Sequence, residues 1–212
     1  MARMRRSPLA VLSAALSTLR TQGPLVFAEK AATAAGWHRL LLLAADLAET
    51  PMARPAKVPI DIRFLHPSEL QLLLGSRPHL ERSFAESHLA LGHACLVALH
   101  AGKVVGNSWV ARDAVVADWV GARRPLARDE AFVFSVHTAA AYRRQGVNFA
   151  LNAHLHAWLR DQGVRRVFCV TLPWNATALA AHRRSGYHVC GHLVSLGCGR
   201  FRRGLFLAAT SR

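Results

Sequence analysis

Residues 60–65, IDIRFL, alternate apolar and polar side chains, the period of a strand with one buried face. His66-Pro67-Ser68-Glu69 then opens a helix with proline in its first turn, and a second helix is predicted over residues 80–91. Residues 94–115, ACLVALHAGKVVGNSWVARDAV, are two β-runs joined at Ala101-Gly102-Lys103, the signal of a hairpin. AFVFSVHT at 131–138 and RRVFCVTL at 165–172 read as strands, with a helical pattern after each. Two last strands are expected in YHVCGHLVSLG and GRFRRGLFLA. From residue 60 the order is β-α-α-β-β-β-α-β-α-β-β, a mixed α+β chain.

Residues 1–50 have a different texture, rich in Ala and Leu at helical spacing. They end in HRLLLLAADLA, which reads either as a short strand or as a buried helical turn. ETPMARPAKVP, 49–59, carries three prolines and reads as a linker. The expected division is a basic, apolar helical segment over 1–50, a Pro-rich linker over 51–59 and a domain over 60–212. The first 23 residues have the basic front and short apolar run of a signal peptide. No small-residue cleavage site follows and Arg20 interrupts the run, so they read as a basic amphipathic helix. No stretch of about 18 apolar residues is present to span a bilayer. A cytoplasmic protein is expected, with peripheral membrane contact open through the N-terminal segment.

The chain has 212 residues, 52% of them hydrophobic, enough for a sizeable core. Its net charge of +15 favours anionic partners. Only Lys30, Lys57 and Lys103 are lysines; this Arg bias also suits a GC-rich bacterial genome, so charge alone assigns no function. Nucleic acid is not expected, because no recognised motif or aromatic-interleaved basic patch accompanies the arginines. Cys95 and Cys169 lie in β-runs as small hydrophobes, and none of the four cysteines forms a CxxC pair. No metal is expected: the spacing of His188, Cys190, His192 and Cys198 matches no strong zinc pattern.

The helix after the 131–138 strand begins abruptly. Val147, Ala150, Leu151, His154, Leu155, Trp158 and Leu159 fall on one face, which packs His154 inside and leaves His156 outside. Gly163 supplies the stop. At the start no Ser, Thr or Asp precedes Gly146 to satisfy the first-turn N–H groups, while Arg143 and Arg144 bring positive charge. Strand, glycine turn and helix together aim N–H groups and the positive dipole end at an anion.

YRRQGVN in this setting resembles the acetyl-CoA-binding motif of the GNAT acyltransferase superfamily, Arg/Gln-x-x-Gly-x-Gly/Ala. Arg143, Arg144, Gln145, Gly146 and Val147 fit it, and Asn148 replaces the last small residue. NATALAAHRRSGY is similar to a second signature, through Asn175, Ala178, Gly186 and Tyr187. The resemblance implies a central mixed, mostly antiparallel sheet flanked by helices over roughly 57–207, with residues 1–50 extra. It implies a CoA site at Arg143, Arg144, Gln145, Gly146, Val147 and Asn148. The strand end at Val136, Thr138 and Ala140 would hold the pantetheine arm, and Asn175 would contact the cofactor, cap its helix, or both. Acetyl-CoA or another acyl-CoA is the implied co-substrate, and an amine attacks it directly in a ternary complex.

For the chemistry, His182 occupies the place where many relatives carry a Tyr that protonates the leaving thiolate; the alternative is a helix-surface residue. Arg183 and Arg184 beside it are expected to lower its pKa. A base for the amine is sought on the preceding strand, where Glu130 stands at the start and His137 shares a face with Ser135 by alternation. Two further readings stay open: the same fold with an acidic acyl carrier protein as donor for long-chain acylation of an amino acid or peptide, and a basic nucleic-acid or membrane-surface binding protein. The acceptor is a small molecule or a peptide, and a homodimer is compatible.

Overall fold

The computed structural model describes residues 17–50, 55–117, 121–197 and 203–208. Helix α1 (Pro24–Ala34) leads into β1 (Trp37–Asp46). Strand β2 (Asp61–Phe64), a 3-10 turn at Pro67–Glu69, α2 (Leu70–Ser76) and α3 (Arg82–Ala90) follow. A meander comes next: β3 (Ala94–His100), β4 (Lys103–Ala111), β5 (Ala114–Ala117), β6 (Ala122–Pro125) and β7 (Glu130–Thr138). The chain closes with α4 (Val147–Asp161), β8 (Arg166–Thr171), α5 (Ala176–Arg184), β9 (His188–Leu196) and β10 (Arg203–Ala208). Eight strands form one sheet in the order β10-β9-β1-β8-β7-β4-β3-β2, antiparallel except for β7 beside β8; β5 and β6 make a separate hairpin. Among the described residues no helix is long and apolar enough to cross a membrane.

Of the two readings of HRLLLLAADLA the strand holds, which departs from an all-helical N-terminal segment. Residues 37–46 are a strand, inserted between β8 and β9 and antiparallel to both. The run LLLLAA has neither helical period nor alternation because both faces of β1 are covered. Leu40, Leu42 and Ala44 enter one core, under the β5–β6 hairpin; Leu43, Ala45 and the following Leu47 enter the other, under α4. By contrast α1 buries no residue and holds to β1 through an Arg39–Glu29 ion pair. The sheet therefore draws on both sides of the Pro-rich stretch. That stretch is itself docked: Lys57 N–H donates to the Gln145 carbonyl at 2.8 Å, and Ala56 and Val58 pack on the core.

Helix α4 lies on one face of the sheet, and α2 and α3 on the other. Gly106 on β4 admits the first turns of α4: a Cβ there would stand 3.0 Å from both Val147 Cγ1 and Leu151 Cδ1. The helix is rotated slightly from the expected facing. His156 is buried and His154 exposed, the reverse of the sequence reading, because α5 and Tyr187 cover the Asn152–His156 side. His156 Nε2 meets the Tyr187 hydroxyl at 3.1 Å, and Asn152 Nδ2 donates to Ser185 Oγ at 3.2 Å.

Two expectations follow. Four leucines at β1 (Leu40, Leu42, Leu43, Leu47) contribute about 2 kcal/mol each, a sum comparable to the whole stability of a domain. A chain starting at residue 57 should thus fail to fold, whereas one starting at residue 36 should give a cooperative thermal transition by circular dichroism. The second concerns pH. Burial, then Arg160, push the His156 pKa down to about 4, so the folded state holds it neutral. An unfolded His titrates near pH 6.5, so this stability is present above about pH 6.5 and drains away towards pH 4, by up to about 3 kcal/mol. In His156→Phe the melting temperature should fall less over that window than in the parent.

Candidate active site

Strands β7 and β8 pair in parallel over three residues only: Glu130 with Arg166, Ala131 with Val167 and Phe132 with Phe168. Beyond that ladder β7 runs on to Thr138 and β8 to Thr171, and the two separate. The cause is visible on the other edge of β7. Its pairing with β4 steps from Trp109–Phe134 to Asn107–His137, which leaves one extra residue on β7. Ser135 occupies the left-handed region at φ 48°, costly for a residue with a Cβ. Arg77 holds it there, donating to Ser135 Oγ at 3.1 Å and to its carbonyl at 3.3 Å; Asn107 Nδ2 donates to the same carbonyl at 3.0 Å. Arg77 is itself half-buried, and desolvation lowers its pKa.

The bulge also overturns the alternation expected for Ser135 and His137. His137 stays half-buried, and desolvation, then Arg77 and Arg143, hold its pKa below the usual histidine value. Glu130 is not brought to the site. It stands at the far end of β7, roughly 25 Å from Thr138 at the usual strand rise, where it accepts from Arg124 and from the Ala127 N–H.

Past Thr138 the chain makes a 3-10 turn, Ala140–Tyr142, and then the glycine turn. Arg143 and Arg144 are exposed, with Arg143 Nε donating to the Thr138 carbonyl at 3.3 Å. Gln145 folds back onto the Ala141 carbonyl at 2.7 Å. Gly146 is the N-cap of α4 at φ 84°, with no side chain capping the helix. A Cβ there would also lie 3.3 Å from Ala56 Cα, so glycine is required twice over. Asn148 in the first turn buries an Oδ1 with no hydrogen-bond partner. The sequence-derived residues Val136, Thr138, Ala140 and Arg143 to Asn148 follow one another along the chain from the splayed strand to the helix start.

On the α2–α3 side the splay opens into a cavity of about 540 Å³. Its walls are mainly apolar and aromatic, with Phe84, Phe132 and Phe134 beside Ser135 of the bulge and Asn175. Among the described residues no Asp, Glu, Lys or Arg lines it. Asn175 is also the N-cap of α5, accepting from the Ala178 N–H at 3.1 Å, so helix capping and a place at the site coincide. His182 lies elsewhere. Its Nδ1 is 3.5 Å from Cys169 Sγ, and its ring meets Tyr187 edge-on. Cys169 faces the α4 core, whereas its neighbour Val170 faces the cavity side. Burial lowers the His182 pKa, and Arg183 and Arg184, named as the cause from sequence, are exposed.

Sequence reading missed two histidines that line the cavity, and an aspartate bonded to one of them. His88 at the end of α3 and His93 just beyond it approach with Nδ1···Nδ1 at 2.8 Å, and His93 Nε2 meets Asp113 Oδ1 at 2.9 Å. Gly92, at φ 77°, turns the chain so that both imidazoles stack. The spacing HLALGH carries only a weak signal of this, since Asp113 arrives from the β4–β5 turn. Among the described residues no three His, Cys, Asp or Glu are grouped to hold a metal. A shallower depression of about 710 Å³ lies over the β2–β3 edge by Asp61, Arg63 and His100, apart from the splay.

The glucosamine N-acetyltransferase region of a fungal multi-domain β-N-acetylglucosaminidase shares the fold at a TM-score of 0.56 and 20% identity, over 84% of this chain and 22% of that one. An N-acetyltransferase from Sphaerobacter thermophilus gives 0.55 at 17% identity, over 87% and 57%. A GNAT-family protein from Novosphingobium aromaticivorans gives 0.54 at 16%, over 74% and 62%. The chain thus spans less than two thirds of each of these, and at such identities the likeness is one of fold. Comparison with curated protein sequences gives no match. The sequence matches the acetyltransferase (GNAT) family over residues 65–187, from the end of β2 to the tyrosine after α5. With the splayed β7–β8 pair and the glycine-led α4 inside that span, this chain belongs to the GNAT acetyltransferase family.

Proposed function

We propose that the protein transfers an acetyl or longer acyl group from a CoA thioester to a primary amine, by direct attack in a ternary complex. The observation that carries this reading is the splay of β7 from β8, which joins a cationic helix start to an apolar cavity. The pyrophosphate would take the first-turn N–H groups of α4 and the guanidinium groups of Arg143 and Arg144. The pantetheine amides would pair with the backbone of β7 between Val136 and Thr138, which β8 no longer reaches. That places the thioester by the Ser135 bulge, at the mouth of the cavity, where the acceptor sits.

Nitrogen attacks the thioester carbon, the C–N bond forms, the C–S bond breaks, and the thiolate takes a proton. In this scheme the thiolate takes the second proton of the attacking amine, because burial lowers the His182 pKa and disfavours the imidazolium that a general acid requires. The cavity lining suits an amine on an apolar or aromatic body and disfavours polycations, which need carboxylates. A second reading keeps the chemistry and takes acyl carrier protein as donor. The net charge of +15 and the exposed Arg143 and Arg144 suit an acidic carrier.

Arg143→Ala/Arg144→Ala tests the donor site without disturbing the core. Each charge-assisted phosphate contact contributes about 1–2 kcal/mol at an exposed site, so CoA should bind roughly 30- to 1,000-fold more weakly by calorimetry. Pantetheine, which lacks the phosphates, should bind the variant and the parent equally. Equal CoA affinity would remove the glycine turn as the phosphate site.

A further inference from the structure

Arg77 is a half-buried cation at the Ser135 bulge, beside the aromatic cavity, and no carboxylate of the described residues neutralises it. From this we infer that the acceptor is an α-amino acid with an apolar or aromatic side chain: Arg77 binds its carboxylate, the cavity takes its side chain, and its amino group meets the thioester between them. This rests on the acyl-transfer reading and adds to it the class of acceptor.

None of the ion pairs among the described residues includes Arg77. Its side-chain hydrogen bonds all leave from Nη1 and all go to uncharged oxygens: Ser135 Oγ at 3.1 Å, the Ser135 carbonyl at 3.3 Å and Asn107 Oδ1 at 3.3 Å. Nε and Nη2 bond no described group, and neither is sealed from solvent. Their N–H groups point along one edge of the guanidinium, the edge that grips a carboxylate through two parallel bonds. Desolvation holds the Arg77 pKa below its ordinary value, so burial destabilises the charge here and an arriving anion offsets that cost.

The distances suit a short acceptor. Ser135 receives Arg77 and also lines the 540 Å³ cavity, so the guanidinium stands one hydrogen bond from a residue of the cavity wall. In an α-amino acid the nitrogen lies only about 2.5 Å from the carboxylate carbon, two bonds away. A carboxylate on Arg77 therefore keeps the amine at the Ser135 bulge, where the thioester is placed. The side chain then extends among Phe84, Phe132 and Phe134. The Phe84 and Phe134 rings meet edge to face with centroids 6.3 Å apart, a geometry that a further aromatic ring can join. Acceptors with a second cation are opposed, since Arg77 repels them and among the described residues no Asp or Glu lines the cavity.

In the reaction the ammonium gives one proton to water at the cavity mouth. Nitrogen attacks the thioester carbon, the C–N bond forms, the C–S bond breaks, and the second nitrogen proton passes to the CoA thiolate. An N-acyl amino acid and CoA leave, and Arg77 stays protonated throughout.

The test compares acetyl transfer from acetyl-CoA to L-phenylalanine and to L-phenylalaninamide, followed by thiol release, with CoA affinity measured by calorimetry. The two acceptors share one body and differ in the negative charge. The amine of the amide loses its proton more readily, so a preference for the acid comes from its carboxylate. The parent should favour L-phenylalanine in kcat/KM by roughly 10- to 150-fold, the range of hydrogen bonds to a charged group. Arg77→Met should bring that ratio to about 1, and any loss from a disturbed Ser135 bulge lowers both acceptors alike and cancels in the ratio. Arg77→Lys, which keeps the charge without the paired edge, should retain a smaller preference. A parent that acetylates both equally, or neither while it binds CoA, overturns the inference with no variant required, and the transferase reading stands. A ratio unchanged in Arg77→Met or Arg77→Lys likewise overturns it. A parent that binds no CoA overturns the transferase reading itself.

Discussion

The left-handed backbone at Ser135 is the constraint on which the site depends. One extra residue on β7 bends the strand and ends its pairing with β8 after Phe132. A non-glycine residue in that region costs on the order of 1–3 kcal/mol, so it must be held from outside. Arg77 and the buried Asn107 supply three hydrogen bonds to its carbonyl and hydroxyl, enough to offset the strain. The strands separate beyond Phe132 and Phe168. A β7 edge that β8 no longer pairs and an apolar cavity beside it accompany that separation.

The far side of the sheet has to tolerate this opening, and β1 makes that possible. It pairs with β8 along six residues, from Leu41–Thr171 to Asp46–Arg166, so β8 keeps a full ladder on one edge while it loses β7 on the other. On its other edge β1 pairs with β9, across a register shift between Leu42 and Leu43. The N-terminal strand therefore serves as structural backing for the splayed strand.

The sheet also separates two differently built histidine environments. His182 sits on the α4 side against Cys169, in surroundings that favour its neutral form. His88 sits on the α3 side, tied through His93 to a carboxylate.

Much of this was legible in the sequence where the signal is local. Alternation and turn chemistry place β2, the Ala101-Gly102 hairpin, β7, β8 and the two last strands, and the uncapped glycine before Val147 marks the anion-facing helix start. Local patterns fail where neighbours decide. LLLLAA at residues 40–45 has no period because both faces of β1 are buried, and only pairing with β8 and β9 makes it a strand. The rotation of α4 that buries His156 and exposes His154 depends on what α5 and Tyr187 cover. His88, His93 and Asp113 meet only because α3 and the β4–β5 turn converge over the cavity, and the Ser135 bulge exists only because Arg77 reaches it from 58 positions away in the chain. The sequence by itself determined most strands from residue 60 onward, the cationic glycine turn and the family. The tertiary structure decided the central strand, the opening of the sheet and the histidine chain, because each requires groups distant in sequence to satisfy one another's hydrogen bonds or cover one another's faces.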